Sequence, residues 1–291
     1  MTAQAPPANL VLRPGRPEDA QACGRICYEA FASIAGRHGF PGDFPSAQVA
    51  TDLLSHFLSH PGFYAVVAEL DGRVVGSNFL DERSSIAGLG PITVDPGLQD
   101  GGIGRQLMQH LLDRAATRRF AGVRLLQAAY HARSLSLYAK LGFQVRDLCA
   151  CMQGAPLATP IPGYAVRTAR EEDLASCNRV CRLVHGHDRS TEVLDAIQQG
   201  TATVVEHDGH ITGYATAMAF FGHAVGETAE ELKALIGAAP AFDGPGILVP
   251  TSGALFRWCL HQNLRVVQLL TLMSVGLYNE PAGAYLPSVL Y

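Results

Sequence analysis

The residues best placed by type and spacing to do chemistry lie between Gln99 and Arg105: Gln99-Asp100-Gly101-Gly102-Ile103-Gly104-Arg105. Gly101, Gly102 and Gly104 leave backbone N–H groups unshielded, and Arg105 adds a full positive charge. Beyond Gly104 the apolar residues come in pairs, Leu107/Met108, Leu111/Leu112 and Ala115/Ala116, which make one face of an amphipathic helix. The glycine run therefore opens a helix, where free amides and the positive end of the dipole favour an anion. Upstream, Ile92 and Val94 suit a strand that Pro96-Gly97 ends. Two common phosphate loops do not fit. A Walker A loop places Lys-Ser/Thr after its last glycine, and here Arg105-Gln106 stands instead. A dinucleotide fingerprint needs a glycine at position 107, which is Leu107.

What remains, Gln99-x-x-Gly102-x-Gly104, resembles the Q/R-x-x-G-x-G/A pyrophosphate loop of the GNAT superfamily of N-acyltransferases. Downstream, after a strand expected near 123–129, Leu135-Ser-Leu137-Tyr138-Ala-Lys140-Leu-Gly142-Phe143 resembles the L-Y-x-k-x-G-F signature of the same enzymes. The resemblance implies an N-acetyltransferase in residues 10–154, moving an acetyl group from acetyl-CoA to an amine by direct attack. It implies that backbone N–H groups of Gly101, Gly102, Ile103, Gly104 and Arg105 take the diphosphate, with Gln99 and Asp100 among the cofactor-binding residues. It further implies that Ile92, Thr93 and Val94 bond the pantetheine amides, and that Tyr138 is the general acid that reprotonates the thiolate. Ser134 and Lys140 are further cofactor candidates. The family usually has Asn seven residues before the tyrosine. This chain has His131 there, an altered cofactor contact. No carboxylate lies inside the expected strand 86–94, where many members place a general base. His131, His38, Asp81 and Glu82, or a chain of waters, are left as candidates. A competing reading is a non-catalytic acyl-CoA-binding sensor or scaffold, which keeps the loop but needs no productive acceptor pocket.

Periodicity and turn chemistry define the elements around these groups. Residues 10–13 read as a strand, and Pro17-Glu-Asp19 opens a helix whose inner face is Cys23, Ile26, Cys27, Ala30 and Phe31. A turn-rich stretch from Gly36 to Ser46 comes next, then a helix at 46–59. In the GNAT resemblance the turn-rich stretch covers the acceptor, which makes Phe31, His38, Phe40 and Phe44 the substrate candidates. Strands at 63–70 and 73–80 form a hairpin about Asp71-Gly72, the pair a type I′ turn requires. Gly76 inside the second strand implies close approach of another backbone. The helix carrying Tyr138 ends at Gly142, and a strand runs on to about 152.

The chain then repeats itself. Leu12-Arg13, Glu18-Asp19 and Cys23-x-Arg25-x-Cys27 reappear 154 positions on as Val166-Arg167, Glu172-Asp173 and Cys177-x-Arg179-x-Cys181. Asp71-Gly72-x-x-x-Gly76 reappears 137 positions on as Asp208-Gly209-x-x-x-Gly213, so the second copy has lost seventeen residues where the first carries its acceptor segment. Residues 125–154 align without a gap on 247–276, and there Leu260 replaces Tyr138. In place of the glycine loop stands Gly226-Glu227-Thr228-Ala-Glu230-Glu231, in which Thr228 and Glu231 form a capping box and three acids would repel a diphosphate. The expected organisation is a tail (1–9), a catalytic domain (10–154), a proline-rich linker (155–163) and a degenerate copy (164–291). The fold class is α/β: two tandem GNAT-like domains, each a mixed, mainly antiparallel sheet flanked by helices. The apolar C-terminal stretch from Asn279 is expected to dock on the body.

Composition limits the partners. The 291 residues are 48% hydrophobic and 16% charged, with a net charge of −4, so no basic footprint argues for nucleic acid. No apolar run is long enough to span a bilayer, and the N-terminus lacks the charged and apolar regions of a signal peptide. The expectation is a cytoplasmic protein acting on a small-molecule or peptide amine, with no nucleic-acid or membrane partner; a homodimer is left open. No metal is expected. The seven cysteines include no C-x-x-C pair, and Cys23/Cys27 read as small core residues of a reduced protein.

Overall fold

The computed structural model describes residues 9–290. The tail expected at 1–9 falls outside the described residues as far as residue 8. Asn9 is described, and its side-chain amide donates to Asp71 at 2.8 Å. The chain forms two compact units interleaved in sequence. The first takes the chain up to Glu82, then Ala87–Val123 and His131–Gly142. The second takes Arg83–Ile86, Arg124–Tyr130 and everything from Phe143 onward.

The first unit opens with β1 (Leu10–Pro14), α1 (Ala20–His38) and α2 (Ala47–Ser59). Asp19 accepts the Arg16 N–H at 2.9 Å at the entry to α1, and Gly39, in the left-handed region at φ 73°, ends it. Ser46 accepts the Val49 N–H at the start of α2. The hairpin is β2 (Phe63–Leu70) and β3 (Arg73–Asp81), with Asp71 and Gly72 at φ 50° and 77° as a type I′ turn demands. Arg13 joins three elements through Asp19 and Glu69, each at 2.8 Å.

The strand expected over 86–94 is broken in two: β4 (Ile86–Leu89) and β5 (Thr93–Val94). Both pair antiparallel with β3, Leu80 opposite Leu89 but Gly76 opposite Val94, so the register slips by one residue between them. Gly90, at φ 135°, stands at the break. This is the behaviour of a bulge, which bends a strand and re-aims the residues beyond it. α3 (Ile103–Thr117) buries Leu107, Met108 and Leu111, and Leu54, Phe79, Cys23, Ile26 and Cys27 are buried in the same unit. After β6 (Gly122–Ala128), which passes into the second unit, α4 (Ala132–Lys140) returns to the first.

The second unit adds β7 (Gln144–Gln153), β8 (Tyr164–Thr168), α5 (Leu174–His185), α6 (Ser190–Gln198), β9 (Thr203–His207), β10 (His210–Ala215) and β11 (Ala224–Gly226). α7 (Ala229–Ala238), β12 (Ile247–Pro250), α8 (Ala254–His261), β13 (Arg265–Gly276) and β14 (Ala284–Leu286) complete it. The duplication is visible in detail. Arg167 holds Asp173 and Glu206 as Arg13 holds Asp19 and Glu69. Asp208 and Gly209 turn at φ 50° and 76°. α8 and β13 fall where the ungapped alignment of 125–154 on 247–276 puts the partners of α4 and β7.

One sheet of this unit runs β14-β11-β10-β9-β8. The other carries the strands in the order β6-β13-β7-β12. β7, the last strand of the first copy, pairs antiparallel with both β13 and β12 of the second. The linker at 155–163 separates the two copies in sequence but does not separate the compact units, because β7 is hydrogen-bonded inside the second. The C-terminal stretch docks as β14, antiparallel to β11 with Tyr285 opposite Val225, and Leu286 and Leu290 are buried. Among the described residues no helix is long and apolar enough to cross a membrane.

Candidate active site

The glycine loop arrives at α3 in the geometry an anion needs. Gly102 is the N-cap residue, at φ 78° and ψ −3°, and no side chain caps the helix among the described residues. Gln106 N–H bonds to the Gly102 carbonyl at 3.2 Å, so the amides of Ile103, Gly104 and Arg105 precede the helical ladder. The Ile103 side chain is buried and anchors the helix start, so only its backbone belongs to the site. Gly101 and Gly102 are half-buried, Arg105 is exposed, and Asp100 takes φ 74°. A Cβ added at Gly104 would meet nothing nearer than Val94 Cγ2 at 3.8 Å and Leu137 Cδ2 at 3.9 Å. The helix start is thus open in front and flanked by β5 and α4.

β5 supplies Thr93 and Val94, with Ile92 just before it. Among the described residues β3 is its one strand partner. Thr93 is buried, its hydroxyl 3.5 Å from that of Ser77. Gln99 does more than mark the motif: its amide donates to the Val94 carbonyl at 3.3 Å, tying loop to strand.

α4 brings Tyr138, Ser134 and Lys140. Tyr138 is 6% exposed, and burial pushes its phenol above the ordinary range, so it stays protonated. The Ser134 hydroxyl donates to the His131 carbonyl at 2.9 Å, and Lys140 is exposed. His131 stands at the head of α4. Burial, then the charges of Arg133, His38 and Arg37, lower its pKa to about 4, so the ring is neutral near pH 7. Its Nε2 is shielded from solvent and has no hydrogen-bond partner among the described residues.

Of the acceptor candidates, Phe31 and Phe44 meet edge to face with centroids 5.7 Å apart. Phe40 is half-buried and its N–H closes the end of α1 on Ala35 at 3.0 Å, while His38 ends α1 exposed and acts electrostatically on His131. Glu82, one of the base candidates, is bound bidentately by Arg114 at 2.5 and 2.9 Å, which leaves it a structural partner. Asp81 is buried at the end of β3. Sequence reading missed Arg133. Its guanidinium donates to Asp100 Oδ1 at 2.7 Å and to Gln99 Oε1 at 2.5 Å. A cation in the first turn of α4, where the dipole disfavours one, was the available signal.

The second copy has a closed version of the same place. Thr228 and Glu231 cap α7 reciprocally, with the Thr228 N–H on Glu231 Oε2 at 2.8 Å. β14 lies along β11, the counterpart of β5. Leu260, opposite Tyr138 in the repeat, is 41% exposed. Among the described residues no group of three His, Cys, Asp or Glu side chains could hold a metal.

These features define the class: a tandem GNAT fold with one open helix start. Residues 31–143 match the sequence profile of the Acetyltransferase (GNAT) family. The whole chain is similar in fold to a candidate acetyltransferase from Pyrococcus horikoshii, at 16% identity and TM-score 0.73, over 98% of this chain and 97% of that one. It is similar also to a GCN5-related N-acetyltransferase from Sphaerobacter thermophilus, at 16% identity and TM-score 0.63, over 95% and 98%. A tandem GNAT protein from the clavulanic acid biosynthesis pathway aligns at 15% identity and TM-score 0.56, over 92% and 98%. No curated protein matches the chain in sequence.

Proposed function

We propose that the first copy is an acetyl-CoA-dependent N-acetyltransferase and that the second copy binds no acyl-CoA. The observation that carries this reading is the contrast between two equivalent helix starts. That of α3 is uncapped and fronted by glycine, and that of α7 is capped by its own Thr228 and Glu231. Free amides at 103–105 suit a diphosphate, and the backbone of β5 suits an amide-bearing arm laid along it. The co-substrate supplies an activated acyl thioester.

In this reading the chain's own groups do four things. The amides of Ile103, Gly104 and Arg105 hold the diphosphate, with Arg105 adding charge. β5 aligns the pantetheine arm towards the bulge at 90–92. Phe31 and Phe44 shape the acceptor side. Tyr138, kept protonated by burial, gives its proton to the departing sulfur as the amine attacks. The neutral His131 ring accepts a hydrogen bond in this reading. The acceptor is an amine, small-molecule or peptide.

The experiment is calorimetry with CoA, then thiol release from acetyl-CoA against an amine panel. One site per chain and amine-dependent release support the proposal. Two equivalent sites per chain overturn the assignment of the second copy. Tight binding with no release from any amine favours the sensor or scaffold reading.

A further inference from the structure

The geometry points to Arg133 as a positioning residue for the diphosphate loop, an inference that rests on the acyl-CoA reading of that loop. Arg133 sits in the first turn of α4, the helix that also carries Tyr138. One guanidinium nitrogen donates to Asp100 at 2.7 Å and another to Gln99 Oε1 at 2.5 Å. Gln99 in turn donates from its amide nitrogen to the Val94 carbonyl at 3.3 Å. A continuous polar chain therefore runs from α4 through the loop to the end of β5. It crosses a segment whose backbone is otherwise hard to hold, since Asp100 at φ 74° and Gly102 at φ 78° both occupy the left-handed region.

The charge arithmetic supports the same role. Asp100 carries a negative charge on the loop that must receive a diphosphate. Arg133 offsets it in place, and the bidentate fork sets the direction of both the Asp100 and the Gln99 side chains. Exposed ion pairs of this kind add little to global stability. Their effect here is local: the loop is held with its amides aimed forward before any ligand arrives, which lowers the ordering cost of binding. A single ammonium cannot span both oxygens, so lysine is a poor substitute.

The test is CoA binding by calorimetry on the full chain, with thermal unfolding run on each variant. Arg133→Ala is expected to weaken CoA about tenfold, the order of one charged hydrogen bond, with the melting temperature close to wild type. Arg133→Lys should stay nearer to the alanine variant than to wild type. Asp100→Asn keeps the shape and tolerates the left-handed backbone, and is expected to weaken CoA several-fold through loss of the ion pair. If Arg133 were a direct phosphate ligand, that same change would release it, remove a repelling charge and tighten CoA. Tighter binding by Asp100→Asn, or an unchanged affinity in Arg133→Ala, overturns the inference while leaving the acyl-CoA reading intact. Wild-type protein that binds no CoA overturns both.

Discussion

Gly76 and Thr93 lie backbone against backbone: a Cβ built on Gly76 would sit 2.8 Å from the Thr93 carbonyl oxygen. The second copy repeats the relationship, with a Cβ on Gly213 falling 2.8 Å from the Val225 carbonyl oxygen. This close approach seats β5 on β3 and thereby sets where the loop begins. Gly76→Ala is expected to cost about 1–3 kcal/mol, the usual scale of overpacking, and to weaken CoA by displacing β5. Denaturant unfolding checks it; a variant within about 0.5 kcal/mol of wild type, the scale of an ordinary surface change, means the approach can relax.

Gly104 and Gly102 separate binding from folding. Gly104 has room for a side chain, so Gly104→Glu should fold and lose CoA by at least about a hundredfold through bulk and charge at the diphosphate. Gly102 is at φ 78°. Gly102→Ala should therefore cost about 1 kcal/mol from backbone strain alone. Calorimetry and thermal melts on both variants read the two effects; a Gly104→Glu variant that still binds CoA moves the diphosphate elsewhere.

Tyr138→Phe is expected to lower turnover by roughly 10²–10⁴-fold with little change in CoA affinity, since a general acid acts only as the sulfur leaves. Because burial raises the phenol's pKa, the wild-type rate should show no loss from tyrosine ionisation up to about pH 10, its ordinary value. Turnover measured at a saturating acceptor decides this, and an unchanged rate leaves Tyr138 a packing residue.

Acid should destabilise the second unit. His185 and His223 share a 3.3 Å contact in its interior, and burial pushes both well below the ordinary histidine range. His187 is lowered to about 4 by burial and by Arg189 and Arg124. The unfolded chain binds these protons near pH 6.5 and the folded one only at lower pH, so stability is full above about 6.5 and falls as pH drops towards 4. A melting temperature that is flat across that window counts against the neutral cluster. His187→Gln should shallow the slope.

A fragment ending at residue 154 should be much less stable than the full chain. β7 pairs with β12 and β13, both beyond the cut, so the fragment carries a strand without its ladder. Size-exclusion and melting of the fragment test this; a monomer as stable as the intact protein would show that β7 finds other partners.

Local features were legible from residue order alone. The glycine loop, the Asp71-Gly72 and Asp208-Gly209 turns, the Thr228–Glu231 capping box and the helix of Tyr138 depend on contacts between residues a few positions apart. The repeat was legible because Arg13 and Arg167, or Gly76 and Gly213, answer the same physical demand in each copy. Gly76 even announced its close neighbour, though not which strand that neighbour was. Tertiary structure alone decided the break between β4 and β5, since a one-residue slip appears only against β3. It alone placed β7 between β12 and β13 and β14 on β11, because backbone hydrogen bonds carry no residue signature and join distant positions. Arg133 belongs to this second class. Its chemistry was plain in the sequence, but its partners Gln99 and Asp100 lie 34 and 33 residues away and are brought within reach only when α4 packs beside the start of α3.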